Sequence, residues 1–238
     1  MSLTDGLISY YKMDTGSWTT AFDSVGSNDW TLVWWTTWTT GKIGNWLSFD
    51  GINDYVRIND DSSLRFWTWD FTWQIWVKFT ATTTKVLLAK WPSTHIQPVP
   101  DYVTFITNST GTITFRIHDG VSYNATSTWI YNDWKRHNVV WVRSWTNSYL
   151  YIDAIQDWTS SWISANLDNI EPLVIWNFSY LNNDLYFWWQ ADEVWIWNRA
   201  LTQAEISELY NNWDGLQYWQ PWFWWDVIKR TNIFFKNN

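Results

Sequence analysis

From Trp188 to Trp213 the chain reads WWQADEVWIWNRALTQAEISELYNNW, and its side-chain period changes halfway. Over Gln190–Asn198 a period of two predicts a strand, with Ala191, Glu193, Trp195 and Trp197 on one side. Asp192, Val194 and Ile196 then take the other side. Beyond Arg199 the period lengthens. Thr202 followed by Glu205 forms a capping box, in which hydroxyl and carboxylate satisfy orphan backbone N–H groups at a helix start. Leu201, Ile206, Leu209 and Tyr210 give one apolar stripe, so a short helix is expected over Thr202–Asn211, packed on the end of the sheet that holds the strand.

Upstream, strand signals recur at short intervals. Phe71–Phe79 places Phe71, Trp73, Ile75, Val77 and Phe79 on one face and reads as a central strand. Further strands are expected at Leu7–Met13, around Thr31–Val33, and at Trp46–Phe49, Tyr55–Asn59, Lys85–Lys90, Tyr102–Thr107 and Thr112–His118. Asn138–Arg143, Tyr149–Asp153 and Leu173–Phe178 complete the set. NSTG, Asp119-Gly120 and SWTNS supply hairpin turns. Thr15–Thr40 reads as a long polar connection. Pro92, Pro98 and Pro100 make His95–Pro100 a loop. Many short strands and one helix in 238 residues predict an all-β protein, a two-sheet antiparallel sandwich with one short C-terminal helix. The domain is expected to span residues 1–215, with 216–238 a linker or truncated tail.

Four segments in chain order carry a family resemblance: GLISYYKMD, GKIGNWLSFDGINDYVRI at Gly41–Ile58, FTWQIWVKF at Phe71–Phe79, and ADEVWIWNRALTQAEISELYNN. They resemble the motifs of LamG-like jelly-roll domains in the concanavalin A-like lectin/glucanase superfamily, over roughly Gly6 to Gly215. The resemblance implies a jelly-roll sandwich. It is less specific for activity, because this fold hosts lectins, adhesion modules, hydrolases and lyases. It also implies a structural Ca²⁺ held by oxygen donors at the sandwich rim, with Asp23 and Asn28 of DSVGSND, Asp50 of FDGINDY and Asp192 as candidate ligands. The alternative is that Asp23, Asn28 and Asp50 shape turns through their own backbone, while Asp192 pairs with a basic group such as Arg199.

Tryptophan is out of proportion, at 27 residues against 9 glycines, where ordinary usage gives about 17 glycines in such a chain. Trp30, Trp34, Trp35, Trp91, Trp145, Trp158, Trp188, Trp189 and Trp213 stand in polar, turn-like contexts that ordinarily take glycine. Read as glycine, they give ordinary text: SNDGTLV, RSGTNSYLYID, and a helix stop in YNNGDG. Trp46 occupies a small-residue position of the family motif. The expectation is that most of these tryptophans are UGA codons which the source organism reads as glycine. Trp76, Trp134 and Trp197 fall where the family carries an aromatic and read as genuine, while Trp73 and Trp195 fit either reading. The competing reading makes the indoles an exposed platform for stacking sugars.

A net charge of −8 without a basic run argues against nucleic acid or an anionic membrane as partner. With no cysteine, disulfides and thiolate chemistry are excluded. Met1–Asp14 shows no signal peptide, and no apolar run is long enough to span a bilayer. An extracellular, cell-surface or virion-associated setting is expected if the chain belongs to a longer or non-classically exported protein. The glucanases of the superfamily need alternating carboxylates on one strand face. The chain's four glutamates, Glu171, Glu193, Glu205 and Glu208, contain no such trio. Arg116–His118 alone does not supply a lyase cluster, and His95, His118 and His137 lack zinc-site spacing. The reading is a non-catalytic recognition or adhesion module for a glycan or a surface protein, with His95, Tyr102, Tyr123 and Tyr131 as candidate ligand contacts. Its rivals are a structural domain of a phage-like particle or surface protein, and a divergent glycosidase or polysaccharide lyase.

Overall fold

The computed structural model describes residues 1–14, 16, 19–33, 36–50, 54–80, 84–90, 102–160, 163, 165–175 and 189–216. Its strands are β1 (Leu7–Tyr11), β2 (Thr20–Ala21), β3 (Trp30–Val33), β4 (Thr37–Thr40), β5 (Asn45–Phe49), β6 (Tyr55–Ile58), β7 (Phe71–Phe79) and β8 (Lys85–Lys90). They continue with β9 (Tyr102–Thr107), β10 (Ile113–His118), β11 (Ser122–Thr126), β12 (His137–Ser144), β13 (Asn147–Ile152), β14 (Ile155–Ser160), β15 (Leu173–Ile175) and β16 (Trp189–Trp197), followed by helix α1 (Gln203–Tyr210). Two antiparallel sheets form the sandwich. The first runs β14-β13-β12-β7-β16-β5-β4, with β1 also on β16; the second runs β11-β10-β9-β8-β15-β6-β3-β2. The expected two-sheet sandwich with one α-helix is what the described residues form. β2, β4, β11 and β14 are strands that their polar composition does not announce. Trp34, Trp35, Trp91, Trp188, the loop His95–Pro100 and residues 217–238 lie outside the described residues.

Between the sheets, the inward face of β7 (Phe71, Trp73, Ile75, Val77, Phe79) meets Phe105, Phe115 and Ile117 across a continuous apolar core. Residues alternate along each strand, so the outward face of the first sheet carries Gln74, Trp76 and Lys78 from β7. A second apolar layer covers part of that face. Leu201, Ile206 and Leu209 of the helical segment pack with Leu3, Tyr10, Trp195 and Trp197.

β16 does not keep the simple alternation expected of it. Its register against β7 slips between Asp192 and Trp195, and Glu193 takes φ +50°, a β-bulge that adds one residue. The bulge falls where the second neighbour of β16 changes from β5 to β1. Ala191 therefore shares the inter-sheet core with Val194 and Ile196, while Trp195 and Trp197 face the helix layer. Ala191 and the two tryptophans lie on opposite sides, not on one.

Helix α1 starts as its sequence requires. The Thr202 hydroxyl accepts from the Glu205 N–H, and the Glu205 carboxylate accepts from the Thr202 N–H at 2.8 Å. The helix stops on Asn211, which takes the left-handed conformation at φ +45° and is followed by Asn212 at +49°. These asparagines provide the stop that the sequence suggested for position 213. The helix packs on the outer face of the first sheet rather than on its end.

The tryptophans divide. Trp30 and Trp189 belong to strands and are buried in the core, not in turns. Trp67 and Trp145 carry positive φ, at +47° and +56°, a conformation costing a bulky side chain about 1–3 kcal/mol. Trp134, read as genuine, also has φ +60°. Trp46, Trp73 and Trp141 are buried with indole N–H groups that find no acceptor among the described residues. Each such donor costs about 1–3 kcal/mol. A Cβ at Gly41 would run into the Trp46 indole. By contrast, the Trp197 N–H donates to the Leu3 carbonyl at 2.7 Å.

Glu205 also receives the Arg199 guanidinium in two hydrogen bonds, at 2.7 and 3.1 Å. Burial opposes its ionisation, but Arg199 and the Thr202 contacts overcome this and hold its pKa at about 2. A depressed carboxylate contributes stability above its unfolded value of about 4.3 and loses it as pH falls. Glu205→Gln is expected to lower unfolding free energy by about 1–2 kcal/mol at pH 7. In urea titrations the gap from wild type should narrow as pH falls from about 4.3 toward 2.

Candidate functional site

Tyr131 lies in the segment between β11 and β12. Its N–H donates to the Gly111 carbonyl at 2.9 Å, and its hydroxyl donates to Asp157 of β14 at 3.0 Å. The other Asp157 oxygen accepts the Thr128 N–H at 2.7 Å. One carboxylate thus ties this segment to the edge strand of the first sheet. Burial, then the Asp157 charge, pushes the Tyr131 phenol well above its ordinary pKa. It remains a neutral donor.

Next to this tie opens a cleft of about 520 Å³ lined by Tyr131, Tyr210, Asp153, Gln156, Asp157 and Trp129 among others. Its acidic side is ordered. Asp153 and Ala154 both have positive φ, +53° and +63°, and form the two-residue turn between paired Ile152 and Ile155. From that turn Asp153 accepts the Asn138 N–H at 2.9 Å and meets His137 Nδ1 at 2.8 Å. His137 Nε2 lies 3.1 Å from Asp133. Tyr210, at the end of α1, stacks on Trp76 with ring centroids 5.9 Å apart. Aromatic faces and fixed oxygen acceptors therefore share one opening.

Of the predicted ligand contacts, only Tyr131 lines this cleft. Tyr102 is buried and stacks on His118. Tyr123 packs against the inter-sheet core, and His95 lies outside the described residues. Asp153, Gln156, Asp157 and Tyr210 escape sequence reading because the topology alone assembles them. The one local hint is Asp153 in a hairpin turn.

Of the predicted calcium ligands, Asp23 and Asn28 sit together, while Asp50 and Asp192 make other contacts. One Asp23 oxygen accepts the N–H groups of Tyr10 and Val25, at 3.0 and 3.1 Å, and the other accepts that of Asn28 at 3.3 Å. Asn28 donates to Ser9 and Ser63, both at 3.1 Å. The Asp50 N–H donates to the Asp54 carboxylate at 2.7 Å. Asp192 is buried beside Glu193 on β16, and burial, then Glu193 and Asp14, raises its pKa well above the carboxylate range. Arg199 serves Glu205 rather than Asp192; the cation whose charge Asp192 feels is Arg136. Among the described residues no three acidic, histidine or cysteine side chains gather into a metal-ligating group.

A second cleft, of about 350 Å³, lies on the first sheet's outer face and is lined by Lys42, Lys78, Lys135, Arg136, Trp134 and Gln190 among others. A third, of about 490 Å³, lies at a rim where Trp69 and Trp145 are 64% and 81% exposed beside the buried Arg143. No helix among the described residues is long and apolar enough to cross a membrane.

An antiparallel jelly-roll sandwich with clefts along its edge and one outer face defines a lectin-like class of domain. A family model described as the concanavalin A-like lectin/glucanases superfamily, of laminin G type, matches residues 50–207. The chain belongs to that family. None of the curated proteins compared matches it. Among solved structures, the binding domain of Paraclostridial Mosquitocidal Protein 1 superposes with a TM-score of 0.72 at 14% identity, over 89% of this chain and 53% of that one. Domain 4 of AbnA, a GH43 extracellular arabinanase from Geobacillus stearothermophilus, in complex with arabinotriose, gives 0.67 at 15%, over 85% and 97%. The botulinum neurotoxin serotype D ligand binding domain, in complex with N-acetylneuraminic acid, gives 0.67 at 11%, over 87% and 51%. The chain spans about half the length of the two toxin domains. At these identities the likeness is one of fold.

His137 supplies a pH readout of the cleft wall. Burial would lower its pKa, but the hydrogen bonds and charges of Asp153 and Asp133 outweigh that and raise it. A raised histidine contributes fully below its unfolded value of about 6.5 and loses that contribution as pH rises through the folded value. The thermal midpoint of wild type should therefore fall as pH rises above about 6.5, and that of His137→Gln should fall less over the same range.

Proposed function

We propose that the domain is a non-catalytic recognition module that binds a glycan in the Tyr131 cleft. The observation that carries this reading is the pairing, in one opening, of aromatic walls with acceptors already fixed by the fold. Sugar rings present C–H faces that pack on aromatic rings and hydroxyls that donate to carboxylate and amide oxygens. Asp157 and Asp153 are held by backbone N–H groups before any ligand arrives, so little ordering cost remains. Neighbours of the same fold described as binding arabinotriose and N-acetylneuraminic acid support a saccharide as the ligand class. Attachment to a glycan-bearing surface is the role such a module serves.

Titration calorimetry with a panel of neutral and acidic oligosaccharides tests the proposal. Saturable binding is expected, and Tyr131→Ala should weaken binding of the best neutral ligand about tenfold. Tyr131→Phe, which keeps the ring, should retain most of it. Silence across the whole panel from a cooperatively folded protein would overturn the reading. Release of sugar from the ligand would replace it with an enzymatic one.

A further inference from the structure

Lys and Arg number 15 against 23 acidic residues, yet four cations line the cleft on the outer face of the first sheet. Two are neutralised: Lys42 pairs with Asp214 and Lys135 with Asp133. Lys78 and Arg136 form no ion pair among the described residues. Indoles hold both. The Lys78 ammonium sits 4.6 Å from the Trp134 ring centroid, and the Arg136 guanidinium sits 4.3 Å from that of Trp76. A cation over an aromatic face is attracted by the ring quadrupole but keeps its charge and its outward donors. Gln190 lies opposite Lys78 in the β16–β7 register and adds an amide to the same opening.

We infer that this cleft binds an anionic sugar residue, one bearing a carboxylate or a sulfate ester, with Lys78 and Arg136 receiving the anion and Gln190 a hydroxyl. The guanidinium fork matches planar or tetrahedral oxyanions, and the half-exposed Trp134 ring offers a surface for the sugar's C–H face. A volume of about 350 Å³ suits one or two sugar units. An extended polyanion such as nucleic acid would meet the field of a chain with net charge −8. The inference rests on the recognition-module reading but names a second site and a charged ligand class.

The test is calorimetry with a tetragalacturonate, a chondroitin sulfate tetrasaccharide, a neutral arabino-oligosaccharide and inorganic sulfate. At least one acidic oligosaccharide should bind, more weakly as salt rises. In the double variant Lys78→Gln/Arg136→Gln that affinity should drop about tenfold or more. Arg57→Gln removes an exposed cation from the other sheet and should leave it unchanged, and Arg136→Lys in a Lys78 background should restore part of it. Unchanged affinity in the double variant, or inorganic sulfate binding as tightly as the acidic sugar, would overturn the inference. Should only the neutral oligosaccharide bind, the inference falls and the Tyr131 reading stands; should nothing bind, both fall.

Beyond that cleft, one wall of which is Trp46, the indoles carry a signature of their own. Trp46, Trp73 and Trp141 bury donors without acceptors among the described residues, and Trp67 and Trp145 occupy left-handed backbone that suits glycine. The Trp197 N–H is instead bonded to the Leu3 carbonyl, whereas Trp141 stacks on Phe115 and Trp73 packs edge-on against it without either indole N–H finding an acceptor among the described residues. The geometry points to glycine at most of the other tryptophan positions in the protein as its source makes it, through UGA codons read as glycine. Trp76 and Trp134, which hold the two cations, are among those read as genuine on the family motif, although Trp134 shares the left-handed backbone at φ +60°. Mass spectrometry of the tryptic peptide His137–Arg143 from the source's own protein decides the matter. A mass corresponding to glycine at position 141 is expected, and tryptophan there would overturn it. A synthetic chain with glycine at positions 67 and 145, where the indoles are exposed and φ is positive, should also unfold at a higher temperature than the all-tryptophan chain.

Discussion

Glu193 is the hinge of the architecture. A buried carboxylate in left-handed backbone, accepting the Tyr10 hydroxyl, fixes the bulge in the middle of the longest-paired strand. On one side of it β16 completes a sheet with β5; on the other it completes the sheet with β1. The same extra residue turns Trp195 and Trp197 outward to receive the helix, while Val194 and Ile196 stay in the sandwich. Without that insertion one half of the strand would present its apolar side to the wrong layer. The N-terminal strand, the capping box and the second apolar layer are all placed by it.

Legibility followed locality. The capping box of Thr202 and Glu205, the alternation of β7 and the hairpin at Asp119-Gly120 are written in adjacent residues, and the structure has them as read. The bulge was not legible, because a period of two looks the same whether or not one residue is later left out of the ladder. The short polar strands β2 and β4 were missed for another reason. They are held by pairing with neighbours rather than by their own apolar faces. Asp23 and Asn28 show a different ambiguity: an oxygen-rich turn reads equally well as a cation loop or as a knot of backbone bonds, and only the bond directions distinguish them.

The clefts were still less legible. Tyr131 stood out as an aromatic in a polar segment, but Asp153, Asp157 and Tyr210 come from a hairpin and a helix end that nothing in sequence links to it. In sequence Lys78 is an outward residue of a central strand, and Arg136 is one charge in WKRH. Their importance comes from the indoles beneath them, a relation between strand faces that spacing does not encode. The chain's overall acidity concealed a local reversal of sign.

Tyr210 lines the Tyr131 cleft and stacks on Trp76, while Arg136, which lines the neighbouring cleft, sits over the same indole. A single column of phenol, indole and guanidinium is thus a party wall between two rooms. Whatever tilts that column on one side alters the floor plan on the other. A branched or extended chain laid across the end of α1 would touch both rooms at once, turning two modest grips into a single multivalent hold.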